Sequence, residues 1–343
     1  MEKKYRITVV GCGAVSHHWL RYVKTRDDSE IVSLVDVNKA NAEGIKSLYE
    51  LQCPIYADLI SALKETNPNL LFDLTFVTTH ADIVTEALKA GCNVFGEKPM
   101  AFTRQQAEQM IKTARETKKA YNVLQNRRYV KGLRSLKEII SSEVIGDPGF
   151  VCADIFTQGD LSSIRNQLAK PMLMDNAVHT FDQARFLLGS DPVSVYCASF
   201  NPSGSIYRGD AAGICIFEMD NGAVFDYRCQ LGIKGCLTSW ESTWRIMGSK
   251  GTVMWDGEGD AYYEIPDESE DTKNSAYPYK KTVVKSDYSG PESSHAGAIR
   301  EMFAALEEGR KAETNCEDNF KSIQMVFAAE ESAESGTKVY IKE

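Results

Sequence analysis

Over its first 125 residues the chain alternates short β-branched runs with segments whose apolar positions recur at helical spacing. That rhythm belongs to a parallel α/β sheet. The strand runs are residues 7–10, 31–35, 71–77, 93–95 and 121–124. Ahead of the last run, Thr103 and Gln106 have the spacing of a capping box, and Ala107, Met110, Ile111 and Ala114 follow at i, i+3, i+4 and i+7. From about residue 150 the pattern shifts to longer alternating runs joined by tight turns, which predicts an antiparallel sheet. Runs 212–219 and 223–230 flank Asp220-Asn221-Gly222, and runs 244–247 and 252–255 flank Gly248-Ser249-Lys250-Gly251, so each pair reads as a hairpin. Residues 256–294 are polar and carry Pro266, Pro278 and Pro291, which predicts loops and extended excursions. Two helical patterns, 296–308 and 319–335, close the chain, the second stopped by Gly336.

A length of 343 residues accommodates two domains at roughly 100–200 residues each. Hydrophobic residues at 43% and charged residues at 25% describe an ordinary globular chain and exclude long disorder. No apolar run approaches the length of a membrane span, and the charged opening, residues 1–6, does not read as a secretory signal. A cytoplasmic protein with no membrane partner is expected. Acidic residues outnumber basic ones 48 to 39, with no dense Lys/Arg block, which argues against a nucleic-acid partner. The nine cysteines contain no C-x-x-C pair, and most sit in apolar runs, as Cys197 and Cys215 do; buried reduced thiols are expected.

Directly after the first strand run stands Gly11-Cys12-Gly13-Ala14-Val15-Ser16, followed by a helical pattern through Trp19 and Tyr22. Gly11 permits a tight turn, Gly13 lets the backbone approach a pyrophosphate at the helix N-terminus, and Ser16 replaces the third glycine of the dinucleotide fingerprint with another small residue. Asp36, at the end of the next strand run, is suited to bind ribose hydroxyls and to repel a 2′-phosphate, so NAD is expected over NADP. The bland alternative is a glycine turn with an ordinary strand-end Asp.

Glu97-Lys98-Pro99 follows the fourth strand run, at the sheet edge where ligands bind, although a strand-end lysine is by itself more often a solvated charge. On a helix ending near Gly189, Asp175, His179 and Asp182 fall at i, i+4 and i+7 and share a face. Removing a hydroxyl proton as hydride leaves carbon calls for a base with a pKa near neutrality, and His179 is one of five histidines. Lys98 would stabilise the developing alkoxide, and Asp175 would orient the imidazole or relay its proton. The alternative is a histidine that merely packs. Adjacent His17 and His18 do not face each other on a helix, and no cluster completes a ligand set, so no metal is assigned. His80 either touches a cofactor or packs on the next helix, and His295 reads as structural. The stretch from Gln125 to Tyr129 reads as the entry to the second domain.

Taken together, these residues make the chain resemble the glucose-fructose oxidoreductase / inositol dehydrogenase / rhizopine-catabolism (Gfo/Idh/MocA) family over essentially its whole length. The resemblance rests on Gly11-Cys12-Gly13-Ala14, on Ala90-Gly91-Cys92-Asn93-Val94 leading to Glu97-Lys98-Pro99, and on Asp175 to Asp182 with Leu188-Gly189. It continues in residues 245–252 and in the final helix. It implies an α/β fold: an N-terminal NAD-binding Rossmann domain with a parallel sheet, residues 1–124, and a C-terminal α/β domain with a large, mainly antiparallel open sheet, residues 125–343, for substrate binding and oligomerisation. By resemblance Lys98, Asp175 and His179 form the catalytic set. Gly11, Gly13, Ala14, Asp36, Thr78, His80, Glu97, Lys98 and Asn126 lie near the cofactor, and Lys98, Arg128, Asp175, His179 and Asp182 lie near substrate. The short Thr78-Thr79-His80 segment departs from the family pattern, where Thr-Pro and a longer loop are common.

The leading expectation is an NAD-dependent dehydrogenase acting on a secondary alcohol of a sugar, inositol or glycoside, assembled as a homodimer or homotetramer. The alternatives are an NAD-dependent glycosidase working by transient oxidation and elimination, and a non-catalytic cofactor-sensing regulator. Substrate contacts are expected from residues 156–173 and from loops near Trp240.

Overall fold

A computed structural model describes residues 3–159, 168–267, 278–285 and 294–341. They divide into two units, one of Met1–Asn126 with Glu292–Ile323, the other of Arg127–Pro291 with Gln324–Glu343.

The first unit alternates β1 (Tyr5–Val10), α1 (Ser16–Val23), β2 (Ser29–Val35), α2 (Lys39–Leu48), β3 (Ile55–Tyr56), α3 (Leu59–Thr66), β4 (Leu70–Asp73), α4 (His80–Lys89), β5 (Asn93–Gly96), α5 (Arg104–Thr117) and β6 (Tyr121–Val123). The six strands pair in parallel in the order β3-β2-β1-β4-β5-β6. Strand order reverses between β1 and β4, the switch point at which such sheets open a crevice at their carboxyl ends. Ile7, Val9, Leu71, Phe72, Val94 and Phe95 are all fully buried, as expected of parallel strands covered on both faces. Thr103 and Gln106 form the expected capping box at the start of α5.

The run expected to be a strand through residue 77 stops at Asp73. Its Oδ1 accepts hydrogen bonds from the Thr75 amide (3.2 Å) and hydroxyl (2.6 Å), so the chain turns out of the sheet there despite its apolar sequence.

The second unit opens with a 3₁₀ turn that continues from Asn126 to Tyr129, then α6 (Lys131–Ser141) and β7 (Pro148–Thr157). A π-helical turn, Met172–Ala177, runs directly into α7 (Val178–Leu188). Strands β8 (Pro192–Phe200), β9 (Ala212–Met219), β10 (Val224–Leu231), β11 (Thr243–Gly248), β12 (Thr252–Trp255), β13 (Ala261–Pro266) and β14 (Tyr279–Val284) follow. The chain ends in α8 (Ser294–Glu308), α9 (Cys316–Ser335) and β15 (Val339–Tyr340). The nine-stranded sheet has the order β14-β13-β12-β11-β7-β10-β9-β8-β15, with β7 and β10 parallel and the other neighbours antiparallel. On it lies α7, whose Phe181 meets Phe217, Phe225 and Tyr227 edge-on at 4.8, 6.2 and 5.1 Å.

Both expected hairpins form, with Gly222 at φ +84° in the first and the Gly248 amide donating to the Gly251 carbonyl in the second. The polar stretch expected as loops and extended excursions carries β13 and β14. Asp256 Oδ1 accepts from the Glu258 and Gly259 amides and reverses the chain, and Pro266 closes β13 at its end, where a missing N–H costs least.

Sequence reading groups all of residues 125–343 together, whereas Glu292–Ile323 falls in the first unit. The physical reason is Phe303 of α8, which is fully buried with its ring against Tyr5 (5.0 Å), Tyr22 (6.0 Å) and Phe95 (5.2 Å).

Candidate active site

At the carboxyl edge of the first unit, Gly11 follows β1 with φ +90°, and a Cβ there would sit 2.7 Å from the Leu74 carbonyl oxygen. Only glycine fits that turn. Gly13 differs: it is exposed, and nothing lies within 4 Å of the place its Cβ would take. Ala14 is also exposed. Helix α1 begins without a side-chain cap, since Val15 at the N-cap makes no such hydrogen bond. The Ser16, His17 and His18 amides at that start donate to the Gly13, Ala14 and Val15 carbonyls, and it is the open space over Gly13 that fits a phosphate group. Asp36 directly follows β2, its Oδ2 accepting from the Cys12 amide (2.8 Å) and its Oδ1 from the Asn38 amide (2.7 Å). Those two bonds fix the carboxylate beside the glycine turn. Next to it Val37 is 96% exposed, an apolar side chain with no packing role of its own.

At the end of β5, Glu97 is buried and its Oε1 accepts from the Trp19 indole N–H at 2.8 Å. Burial pushes this carboxyl above the ordinary glutamate range, while the Trp19 bond and the charge of Lys98 pull the other way. Lys98 is half-buried and its peptide bond to Pro99 is cis. His80 is fully buried, with Nδ1 3.0 Å from the Pro99 carbonyl and Nε2 3.2 Å from the Thr75 carbonyl. Both ring nitrogens of His80 are thereby engaged by main-chain carbonyls. Thr78 is exposed on the preceding loop. Asn126 donates to Ser294 Oγ (3.3 Å) and approaches His295 Nδ1 (3.4 Å), and His295 stacks on His18 at 4.1 Å. His17 meets the Tyr49 hydroxyl at 3.0 Å. Among the described residues no group of three or more His, Cys, Asp or Glu side chains could hold a metal.

In the second unit Asp175 lies in the π-helical turn and is half-buried, and His179 stands in the first turn of α7 at 4% exposure. The sequence placed both on one α-helical face. The structure winds Asp175 into a π turn, and such turns recur at functional sites. Asp182 and Arg128, expected beside substrate hydroxyls, instead close on each other in a bidentate pair of 2.6 and 2.7 Å with 1% and 6% of their side chains exposed.

A polar cluster along α7 escaped the sequence. Gln183 donates to Glu241 at 3.0 Å, Thr180 meets Ser242 at 3.2 Å, and Arg127 lies 3.8 Å from Glu241 and also donates to the Trp240 carbonyl. Burial raises the Glu241 carboxyl, opposed by Arg127 and the Gln183 bond. No local motif announces it, because its members are joined only through the fold. Of the segment expected to supply substrate contacts, residues 160–167 lie outside the described residues.

The family model for the NAD-binding Rossmann fold of this oxidoreductase family matches residues 5–125, and that for its C-terminal α/β domain matches residues 137–341. The chain belongs to the Gfo/Idh/MocA oxidoreductase family. It is an NAD-binding oxidoreductase of that family, and named dehydrogenases are among its relatives. Inositol 2-dehydrogenase of Serratia proteamaculans is 31% identical over 66% of this chain and 68% of its own length. D-apiose dehydrogenase of Paraburkholderia graminis is 22% identical over 99% of this chain and 90% of its own. Among solved structures, an oxidoreductase from Agrobacterium radiobacter in complex with NAD+, L-tartaric acid and magnesium superposes with a TM-score of 0.85, 20% identity and 99% coverage of both chains. At that identity the likeness concerns the Gfo/Idh/MocA fold alone. Among the described residues no helix is long and apolar enough to cross a membrane.

Proposed function

We propose that this chain oxidises a secondary alcohol of a sugar, inositol or glycoside, with His179 taking the hydroxyl proton. Asp175 orients the imidazole, and Lys98 stabilises negative charge on the substrate oxygen. When bound, NAD supplies the hydride acceptor. Residues of the first unit hold it: the Gly11 turn and the uncapped start of α1 take the pyrophosphate, Asp36 the ribose hydroxyls, and Val37 an apolar face of the base. A carboxylate at the ribose position repels a 2′-phosphate, which supports NAD over NADP. Thr78, exposed near that edge, is a further cofactor contact, and Glu97, His80 and Asn126 act by holding the neighbouring main chain. The first unit serves the cofactor and the second serves substrate and assembly. Arg128 and Asp182 are positioning residues for α7.

The observation that carries this reading is the histidine itself. A buried imidazole one turn after a carboxylate, in a helix that starts as a π turn, is costly as mere packing and useful as a base. The relatives named for inositol and D-apiose oxidation support the substrate class.

On the nine-stranded sheet, Tyr196, Phe200, Ile214 and Ile216 of β8 and β9 are 41–48% exposed, at positions alternating with the buried residues that face α7. Covering that apolar surface supports a homodimer or homotetramer, which light scattering on the eluting protein tests.

The function is tested by following NADH absorbance over a panel of inositols, aldoses, sugar acids and glycosides, with aglycone release read in the same wells. A sustained rise with one class is expected. Aglycone release without NADH accumulation replaces the reading with an elimination mechanism, and silence in both channels with a regulator.

A further inference from the structure

Two links distant in sequence run side by side in the first unit: the one from α5 into β6, and the one from α8 to α9. The Val123 amide donates to the Thr314 carbonyl (3.0 Å), and Asn122 and Asn315 form an isolated antiparallel bridge. Between these links opens a cavity of about 310 Å³, at the low end of the range of small-molecule sites. Ala120 and Tyr121, which line it, stand at the amino end of β6. The Gly11 turn and the Glu97-Lys98-Pro99 segment stand at the carboxyl ends of β1 and β5, so the cavity lies at the opposite edge of the parallel sheet.

Its charged lining is Arg115, Lys118, Lys119, Arg310, Lys311 and Glu317, five cations and one carboxylate in a chain of net charge −9. Glu317 is engaged by Arg115 at 2.6 Å and by Lys311. Arg310 is neutralised from outside the cavity by Glu301 (2.6 Å) and Glu308 (2.5 Å). Lys118 and Lys119 have no carboxylate partner among the described residues. A helix C-terminus favours cations, which accounts for Arg115 and Lys118 at the end of α5. It does not account for Lys119 and Lys311, which come from the links. Lys118 is exposed and Lys119 half-buried, and their unanswered charge draws an anion to the opening.

We propose that this cavity binds a compact polyanion, of the size and charge of a diphosphate or a tricarboxylate, at a site separate from that of the dinucleotide.

The test is calorimetric titration of the full chain with inorganic pyrophosphate and, separately, with citrate, each with and without saturating NAD. The expected result is saturable binding of one anion per chain that NAD leaves unchanged and that Lys118→Glu with Lys119→Glu weakens by about tenfold or more. Binding of pyrophosphate alone identifies a phosphate site, and binding of both identifies charge as the recognised feature. Displacement of the anion by NAD, equal affinity in the double variant, or no saturable heat with either anion overturns the proposal. The neutral pair Lys118→Gln with Lys119→Gln, checked by circular dichroism, serves if charge reversal disturbs folding.

Discussion

Arg128 and Asp182 face each other in the second unit with the guanidinium Nε and Nη2 donating to the two carboxylate oxygens at 2.6 and 2.7 Å. Phe186, one turn beyond Asp182 on α7, lies 5.7 Å from the guanidinium carbon. The pair ties the 3₁₀ turn that opens the second unit to the middle of the helix that carries His179.

Because both groups are out of water, losing one leaves an uncompensated buried charge. Arg128→Met or Asp182→Leu alone is expected to cost about 3–5 kcal/mol, measured by chemical denaturation, whereas replacing both together costs less than either single change. A double variant as unstable as the sum of the singles would show that the two do not act as a pair.

His179→Ala and Lys98→Met are expected to lower turnover by roughly 10²–10⁴-fold while NAD affinity stays at the wild-type value. Steady-state rates on the substrate found in the NADH panel, together with a fluorescence titration of the cofactor, check this. A variant that retains near-normal turnover removes that residue from the mechanism.

The two glycines of the first turn separate stability from binding. Gly11→Ala forces a Cβ to 2.7 Å from the Leu74 carbonyl at φ +90° and is expected to cost about 1–3 kcal/mol of stability. A Cβ at Gly13 meets nothing within 4 Å, so the melting temperature of Gly13→Val should stay close to that of the wild type. The variant's NAD affinity should fall about tenfold or more, because the new side chain fills the space reserved for phosphate. Equal NAD affinity in Gly13→Val would remove Gly13 from the cofactor site.

Glu330 on α9 is pushed from 4.5 to about 7, chiefly by burial, with Lys170 opposing the shift and Glu334 adding to it. A raised carboxyl pKa means the folded state holds its proton more tightly than the unfolded chain. Its contribution is therefore complete below the ordinary glutamate value and lost as pH rises through about 7. Glu330→Gln is expected to flatten the fall of the melting temperature across that window and to be the more stable protein above it. Parallel melting curves for the two proteins at all pH values would refute this.

Much of the first unit was legible from sequence because its signals are local. A parallel strand covered on both faces reads as a continuous apolar run, and the Thr103 capping box, the Gly11 turn and Asp36 each carry their physical reason within a few residues. Local reasoning failed where a side chain overrode the apolar run, as Asp73 does by bonding Thr75, and it left β13 and β14 unplaced within a stretch read as loops and extended excursions.

Local pattern along the chain sets the alternation of elements and the dinucleotide turn, and it singles out Lys98, Asp175 and His179. Which partners the polar side chains meet is set by long-range contacts. The tertiary structure closed Arg128 on Asp182, buried His80 between two carbonyls, wound Asp175 into a π turn, drew Phe303 into the first unit's core, and joined Gln183 to Glu241. Each of these depends on which partner arrives from far along the chain, and a short-range pattern of polar and apolar positions holds no record of that partner.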